Sequence, residues 1–195
     1  MRPDLGLMLR TSSRDPMPPT GVVWALDNEC YTRGDQFDEW AWLEGLERFM
    51  SRTRWCLFAV APDVVGDALG TLVRARPYLD EIASMGYAPA FVSQDGCRSD
   101  LVPWDDIGCL FVGGTTAWKL SEASWALCAE AKRRGKWVHV GRVNSWKRIR
   151  ACSVSGIDSV DGTALAYEPS VRGPEVMRWL DDLNRAQPTL WEASA

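Results

Sequence analysis

The sequence predicts a single-domain α/β protein over residues 1–195, with the architecture of a trimmed or irregular (β/α)8 TIM-type barrel of parallel strands. Three observations favour this class. The strand-like segments are continuously apolar, as in strands covered on both faces, helical patterns stand between them, and the residues after them are repeatedly acidic, amide or glycine. An open doubly wound sheet shares these features, and the pattern alone does not separate the two folds.

Seven apolar runs predict the strands, at residues 5–9, 22–26, 56–61, 88–92, 109–112, 137–140 and 157–160. An eighth strand is predicted at residues 164–167. The proline-rich stretch at residues 15–20 joins the first two strands without a helix, which makes the predicted barrel irregular.

Helical spacing predicts amphipathic helices after the second and third strands, with these residues facing the core: Phe37, Trp40, Leu43, Leu46 and Met50 in one, and Leu69, Leu72, Val73, Leu79, Ile82 and Met85 in the other. Pro77 should kink or divide the latter helix. A third helix is expected to begin after Ser121 as N-cap and to end before Gly135. Two more are predicted at about 144–155 and from Pro174 onwards.

Composition places the chain among ordinary globular proteins, with 46% hydrophobic and 25% charged residues. No apolar run approaches the roughly 18 residues of a membrane span, and the N-terminus lacks the order of a signal peptide, so we expect a cytoplasmic protein without a membrane partner. The net charge of −4 gives no global attraction to nucleic acid. Residues 131–152, however, hold eight Lys or Arg and no acid, which predicts a local basic face.

The six cysteines are spread along the chain without a C-x-x-C pair, which is typical of buried free thiols. His139 is the single histidine and stands inside a strand, where a core position is expected. These residues give a metal site almost nothing to build on, so we expect no metal and no cofactor.

Polar or flexible residues directly follow six of the predicted strands: Asp27, Asp63, Gln94, Gly113 with Gly114, Gly141 with Arg142, and Asp161. The ends of parallel strands meet at one edge of the sheet, so these residues are expected to line one pocket. Each alone is explained by a turn or a helix cap, and their coincidence favours function. Carboxylates can accept N–H donors, act as a general base, or attack carbon.

The chain resembles the tRNA-guanine transglycosylases, and most of all the short phage and bacterial relatives implicated in placing 7-deazaguanines in DNA. The resemblance covers residues 22–167, about three-quarters of the chain. It is carried by six segments in order: WALD at 24–27, VAPD at 60–63, VSQDG at 92–96, LFVGG at 110–114, HVGRV at 139–143 and GIDSVD at 156–161.

The resemblance implies exchange of a base at C1′ of a guanine nucleotide, by the two-carboxylate logic of a retaining glycosidase. By it, Asp161 is the nucleophile that displaces guanine, and Asp27 is the general acid/base. Asp63 and Gln94 read the edge of the base, and the backbone of Gly113 and Gly114 contacts it. The expected partners are DNA in preference to tRNA and a free 7-deazaguanine base. Whether a second copy of the chain or a modification-complex subunit also binds is left open by the sequence.

Three features depart from that family. Residues 28–31 read NECY where the family usually has SGGF, and Lys119 stands where the tRNA enzymes have a glutamate. The Cys/His zinc subdomain of the tRNA enzymes is absent from this sequence, so their mode of docking tRNA is not carried over.

The basic face divides into two parts. Three cations at residues 132–134 end a predicted helix, where they suit the helix dipole. Four others lie on or beside a predicted strand-end loop and are expected to contact phosphates: Arg142, Lys147, Arg148 and Arg150.

Two other functions are compatible with the same residues. Asp27, Asp63 and Asp161 would suit Mg²⁺ in a metal-dependent hydrolase, since that ion prefers oxygen ligands. The unusual residues 28–30 are compatible with a catalytically silent barrel that binds nucleic acid within a modification complex.

Overall fold

The computed structural model describes residues 2–12, 17–163 and 167–186. The chain forms two compact units, Met1–His139 and Val140–Ala195, each described here by itself. The first unit carries most of the sheet, and the second begins at the last residue of the sixth strand.

Seven strands stand in the order of the chain: β1 Leu7–Arg10, β2 Trp24–Asp27, β3 Cys56–Val60, β4 Pro89–Ser93, β5 Cys109–Val112, β6 Trp137–Val140 and β7 Ser159–Val160. The strands are parallel, as the registers from β1 to β5 show. All seven predicted strands are confirmed, with ends within two residues of those expected. A strand order without reversal differs from that of a doubly wound sheet, which changes direction at a switch point, and is compatible with the predicted barrel. Residues 164–166 of the predicted eighth strand lie outside the described residues.

The α-helices of the first unit are α1 Cys30–Arg33, α2 Glu39–Phe49, α3 Ala68–Ser84, α4 Thr116–Lys119 and α5 Glu122–Arg133, and those of the second are α6 Trp146–Val154 and α7 Pro169–Ala186. Short 3₁₀ turns occupy Gly34–Gln36, Met50–Trp55 and Ser99–Leu101. The expected cap of α5 is confirmed: the Ser121 side chain accepts a hydrogen bond from the backbone N–H of Ser124. Asp38 and Asp67 cap α2 and α3 in the same way.

The predicted core faces of α2 and α3 were wrong in part. Trp40 is 78% exposed and Val73 is 70% exposed, although both were expected to face the core. Small residues take part of their place, since Gly45 of α2 and Ala75 of α3 are buried. Compact side chains let a helix approach its neighbours more closely than the apolar spacing alone suggests.

Two predictions about proline have different outcomes. Pro77 does not divide α3, which runs through it without a break, and the kink expected as the alternative stays a prediction. Pro77 and the preceding-turn residue Val73 are both exposed, so water can satisfy the carbonyl that the proline leaves without a donor. The last helix, α7, begins at Pro169, five residues before Pro174, and takes Pro174 into its second turn.

One face of the sheet in the first unit is lined by apolar side chains that alternate along the strands: Ala25, Phe58, Val60, Ala90, Val92 and Cys109, with Met8, Phe111 and Trp137 packed against them. His139 belongs to this core, with its ring 4.6 Å from that of Phe111 and 5.1 Å from that of Phe58. We call this surface the inner face. The intervening residues, such as Leu26 and Phe91, are buried on the opposite side of the sheet.

A glycine controls how closely α2 approaches the end of β1. A Cβ added at Gly45 would lie 2.5 Å from Cβ and from the carbonyl oxygen of Thr11, so Gly45→Ala should lower the free energy of unfolding by about 1–3 kcal/mol. Gly173 of α7 has no atom within 4 Å of that position, and Gly173→Ala should leave stability unchanged or raise it by up to about 1 kcal/mol. Urea unfolding of both variants tests the contrast, and equal effects would contradict it.

Candidate functional site

Three of the predicted site residues, Asp27, Gln94 and Gly113, occupy positions that correspond to the inner face of the sheet. Side chains alternate along a strand, so Asp27 shares a side with Ala25, and Gln94 shares a side with Val92. Gly113 follows β5 with the same parity as Phe111. The carboxyl ends of β2, β4 and β5 therefore direct these positions above the apolar core rather than toward the helices.

A chain of hydrogen bonds joins the ends of β2, β3 and β4. The Asn28 side-chain amide donates to Asp63 Oδ1 at 2.9 Å, and the Gln94 side-chain amide donates to Asp63 Oδ2. Gln94 Oε1 accepts from the backbone N–H of Gly66 at 2.9 Å. The side chains of Asn28, Asp63 and Gln94 are buried, so three polar groups satisfy one another in place of water.

Burial controls the chemistry of the central carboxylate. Desolvation raises the pKa of Asp63 above its usual range, because burial penalises the charged form. Hydrogen bonds from Asn28, Gln94 and the Cys30 thiol act in the opposite direction, as does the charge of Arg74. The same burial raises the pKa of Cys30 to about 12, which keeps that thiol protonated and able to donate toward Asp63.

The predicted Gly-Gly segment follows β5 and packs tightly against the site. A Cβ at Gly113 would lie 2.6 Å from Val92 and 3.1 Å from Gln94 Nε2, so glycine allows the backbone to approach the Gln94 amide. Gly114 has a φ of 72° and is held from both sides by Asp95 and Trp118. Contacts with the end of β4 and with Trp118 thus determine the position of the loop after β5.

Asp95 belongs to the VSQDG segment, but the sequence interpretation gave it no role of its own. Its carboxylate accepts from the backbone N–H of Thr115 at 2.8 Å and from the Thr115 hydroxyl at 2.5 Å. Thr115 caps α4, so Asp95 ties the end of β4 to the helix that follows β5. Its place directly after Gln94 was the available signal, because acidic residues in such positions commonly bind neighbouring backbone N–H groups.

The unusual residues after β2 are accommodated by specific contacts. Glu29 adopts a left-handed φ of 65°, a conformation that favours glycine. Its buried carboxylate accepts from the backbone N–H of Ser12 at 2.9 Å and from the Ser12 hydroxyl at 2.7 Å. Arg33 lies 3.6 Å away as an ion-pair partner. Glutamate is therefore tolerated at this left-handed position because Ser12, in the connection after β1, binds its carboxylate.

In the second unit, Asp161 follows β7 and is held by the loop after β6. Its Oδ1 accepts from the backbone N–H of Arg142 at 2.9 Å, and its own backbone N–H donates to Val140. Arg142 has a left-handed φ of 58°, an unfavourable conformation for this residue type. Gly162 permits the close approach, since a Cβ there would lie 2.6 Å from the Val143 carbonyl oxygen.

The cations expected to contact phosphates are concentrated at one helix of the second unit. Lys147, Arg148 and Arg150 belong to the first half of α6, while Arg142 lies in the loop before it. Lys147 and Arg150 are exposed and stand three residues apart, so they share a face of the helix.

Two tryptophans near the strand ends are packing residues. The Trp118 indole N–H donates to the Ser93 carbonyl at 3.2 Å, and the Trp104 indole N–H donates to the Ser99 carbonyl at 2.9 Å. Lys119, next to Trp118, is also buried. The two buried indoles hold the walls of the loops in place and present no open face for a base.

The structure therefore brings Asp63, Gln94 and Gly113 into contact and links Asp27 to them through its neighbour Asn28. Gly114 lies one residue further along. Asp161 and the four cations belong to the second unit, where Asp161 is bound by the Arg142 loop.

Searches against models of protein families and against characterised proteins find no match for this sequence. Within the described ranges, no helix is long and apolar enough to cross a membrane.

The raised pKa of Asp63 predicts a pH-dependent contribution to stability. The folded pKa lies above the unfolded value, so this contribution is complete below about pH 4 and is lost as pH rises through the folded pKa. The difference in unfolding free energy between the wild type and Asp63→Asn should therefore fall as pH rises above about 4. Urea unfolding at several pH values measures it. The exposed variant Asp105→Asn serves as control, and an equally flat difference for both would contradict the prediction.

Proposed function

We propose that this protein is a base-exchange transglycosylase that replaces guanine with a 7-deazaguanine in nucleic acid, in DNA rather than tRNA. The observation that carries the proposal is the buried chain of Asn28, Asp63 and Gln94 beside Gly113, one residue from Asp27. Such a carboxylate and amide, placed at strand ends above an apolar core, form a recognition surface for a flat polar molecule.

The chemistry of Asp63 and Gln94 suits the edge of a guanine-like base. That edge presents two N–H donors beside a carbonyl acceptor. A carboxylate accepts the donors, and an amide supplies both a donor and an acceptor. The glycine backbone at Gly113 gives room for a ring to approach, which a side chain would occupy.

The proposed reaction proceeds in two displacements at C1′. Asp161 attacks C1′ as the bond to guanine N9 breaks, and Asp27 donates a proton to the departing base. Asp27 then takes a proton from the incoming 7-deazaguanine, whose nitrogen attacks C1′ and releases Asp161. Two inversions give net retention, with no metal or cofactor required.

The second unit offers features that support these roles. The Arg142 N–H binds one oxygen of Asp161, which orients the carboxylate for attack. Exposed Lys147 and Arg150 suit phosphates beside a flipped nucleotide, whose unstacking costs a few kcal/mol.

Expression of the chain with a supply of 7-deazaguanine bases tests the substrate. We expect a 7-deazaguanine nucleoside in digested DNA by mass spectrometry, and none with a chain carrying Asp161→Asn. Modified nucleoside in tRNA alone would overturn the choice of DNA and leave the chemistry intact. Activity abolished by EDTA would instead favour a Mg²⁺-dependent hydrolase, and a chain inert with every base would favour a silent subunit.

Replacing Asp161 and replacing Asp27 should affect different steps of the proposed reaction. Asp161→Asn should abolish any covalent adduct with nucleic acid, because the attacking oxygen is replaced by an amide. Asp27→Asn should slow turnover by about 10²–10⁴-fold, the range for general acid/base catalysis, while binding changes less. Denaturing electrophoresis of enzyme with labelled DNA reports the adduct. An adduct that persists in Asp161→Asn would show that another residue is the nucleophile.

A further inference from the structure

Asn28 directly follows Asp27 and contacts Asp63, and both the nitrogen and the oxygen of its side-chain amide form hydrogen bonds. Its Nδ2 donates to Asp63 Oδ1 at 2.9 Å and to the Ala61 carbonyl oxygen at 2.6 Å, while its Oδ1 accepts from the Cys30 backbone N–H at 2.9 Å. Rotation of the amide by 180° would set oxygen against oxygen at both acceptors. The orientation of this side chain is therefore determined by its partners.

These bonds compensate for an irregular register between β2 and β3. Trp24 pairs with Cys56, but Leu26 pairs with Ala59, so β3 gains one residue over β2 between the two pairs. After such a shift, the sheet register alone does not set the distance between the two strand ends. The Asn28 side chain, directly after β2, is hydrogen-bonded to Ala61 and Asp63 in the segment that follows β3.

The groups that face the Asp63 carboxylate come from several elements. Asn28 follows β2, Gln94 follows β4, Cys30 begins α1 and Arg74 lies in α3, where its guanidinium donates to the Asp63 carbonyl at 3.1 Å. Among the groups that favour the charged carboxylate, the Asn28 hydrogen bond makes the largest contribution. Asn28 thus favours the charged form of the carboxylate and, together with Gln94, fixes its orientation.

We propose that Asn28 is a positioning residue of the exchange reaction, which holds Asp63 as an oriented acceptor for the base and sets its separation from Asp27. The inference rests on the proposed function. Asn28 itself has no role in the proton transfers or in the attack at C1′. Its loss should therefore act on binding of the base through Asp63 more than on the chemical steps at C1′.

The test is Asn28→Asp in the full chain, which keeps the size of the side chain and places a second carboxylate at hydrogen-bond distance from Asp63. Like charges so close raise the pKa of the pair, so one carboxyl holds a proton that the base would need to displace. We expect KM for the incoming base to rise about tenfold or more near neutral pH, while kcat changes less. The pH dependence of KM should move to higher pH.

Asn184→Asp on the exposed surface of α7 makes the same change of charge and should leave KM, kcat and their pH dependence unchanged. If Asn28→Asp does not yield folded protein, Asn28→Ser provides a second variant, because its hydroxyl can reach fewer of the three partners. A KM and pH profile equal to wild type in a folded Asn28 variant would overturn the inference while exchange by the wild type stands.

Carbon-13 NMR titration of the Asp63 carboxyl separates this failure from failure of the proposed function. We expect the Asp63 carboxyl to titrate at higher pH in Asn28→Ser than in the wild type. A wild type without exchange activity would contradict the proposed function, and the positioning of Asp63 would then be decided by this titration alone. Titration of Asp63 at the same pH in Asn28→Ser and in the wild type would overturn the inference that Asn28 positions Asp63.

Discussion

The candidate site of the first unit depends on the free-energy cost of burying the Asp63 carboxylate. Removing an ionised carboxyl from water costs several kcal/mol, and Asp63 is 6% exposed. That cost is offset only if donors converge on it, and they come from the residues after β2 and β4. The need to solvate Asp63 from within the protein thus draws three strand ends together and determines the form of the candidate site.

A preformed polar cluster of this kind has value for recognition because its groups are oriented before a ligand arrives. Gln94 is bound at both ends of its amide, and Asp63 is bound at both oxygens, so neither side chain needs to lose much rotational freedom on binding. The glycines after β5 complete the arrangement with backbone in place of side chains. Rigidity therefore comes from neighbouring loops as well as from the sheet.

The sequence was most informative where one signal had one structural cause. Continuous apolar runs located the strands, and the residues directly after them identified Asp63, Gln94 and Gly113, which do lie together. Helix faces were harder to predict, because Gly45 and Ala75 pack closely while the larger Trp40 faces solvent.

The contribution of Asn28 was beyond sequence reasoning for a different reason. It depends on a one-residue shift between β2 and β3, and the hydrophobic pattern carries no information about the register between two continuously apolar strands. From the sequence, residues 28–30 were only a departure from a familiar motif. The structure shows that they form specific hydrogen bonds, in which Asn28 donates to Asp63 and Glu29 accepts from Ser12.

The left-handed Glu29 links two loops that would otherwise be independent. A non-glycine residue in this conformation costs about 1 kcal/mol or more, and the bonds to Ser12 stabilise it. The connections after β1 and β2 are consequently coupled. Displacing Ser12 would remove the hydrogen bonds that stabilise Glu29, a strained residue two positions from Asp27.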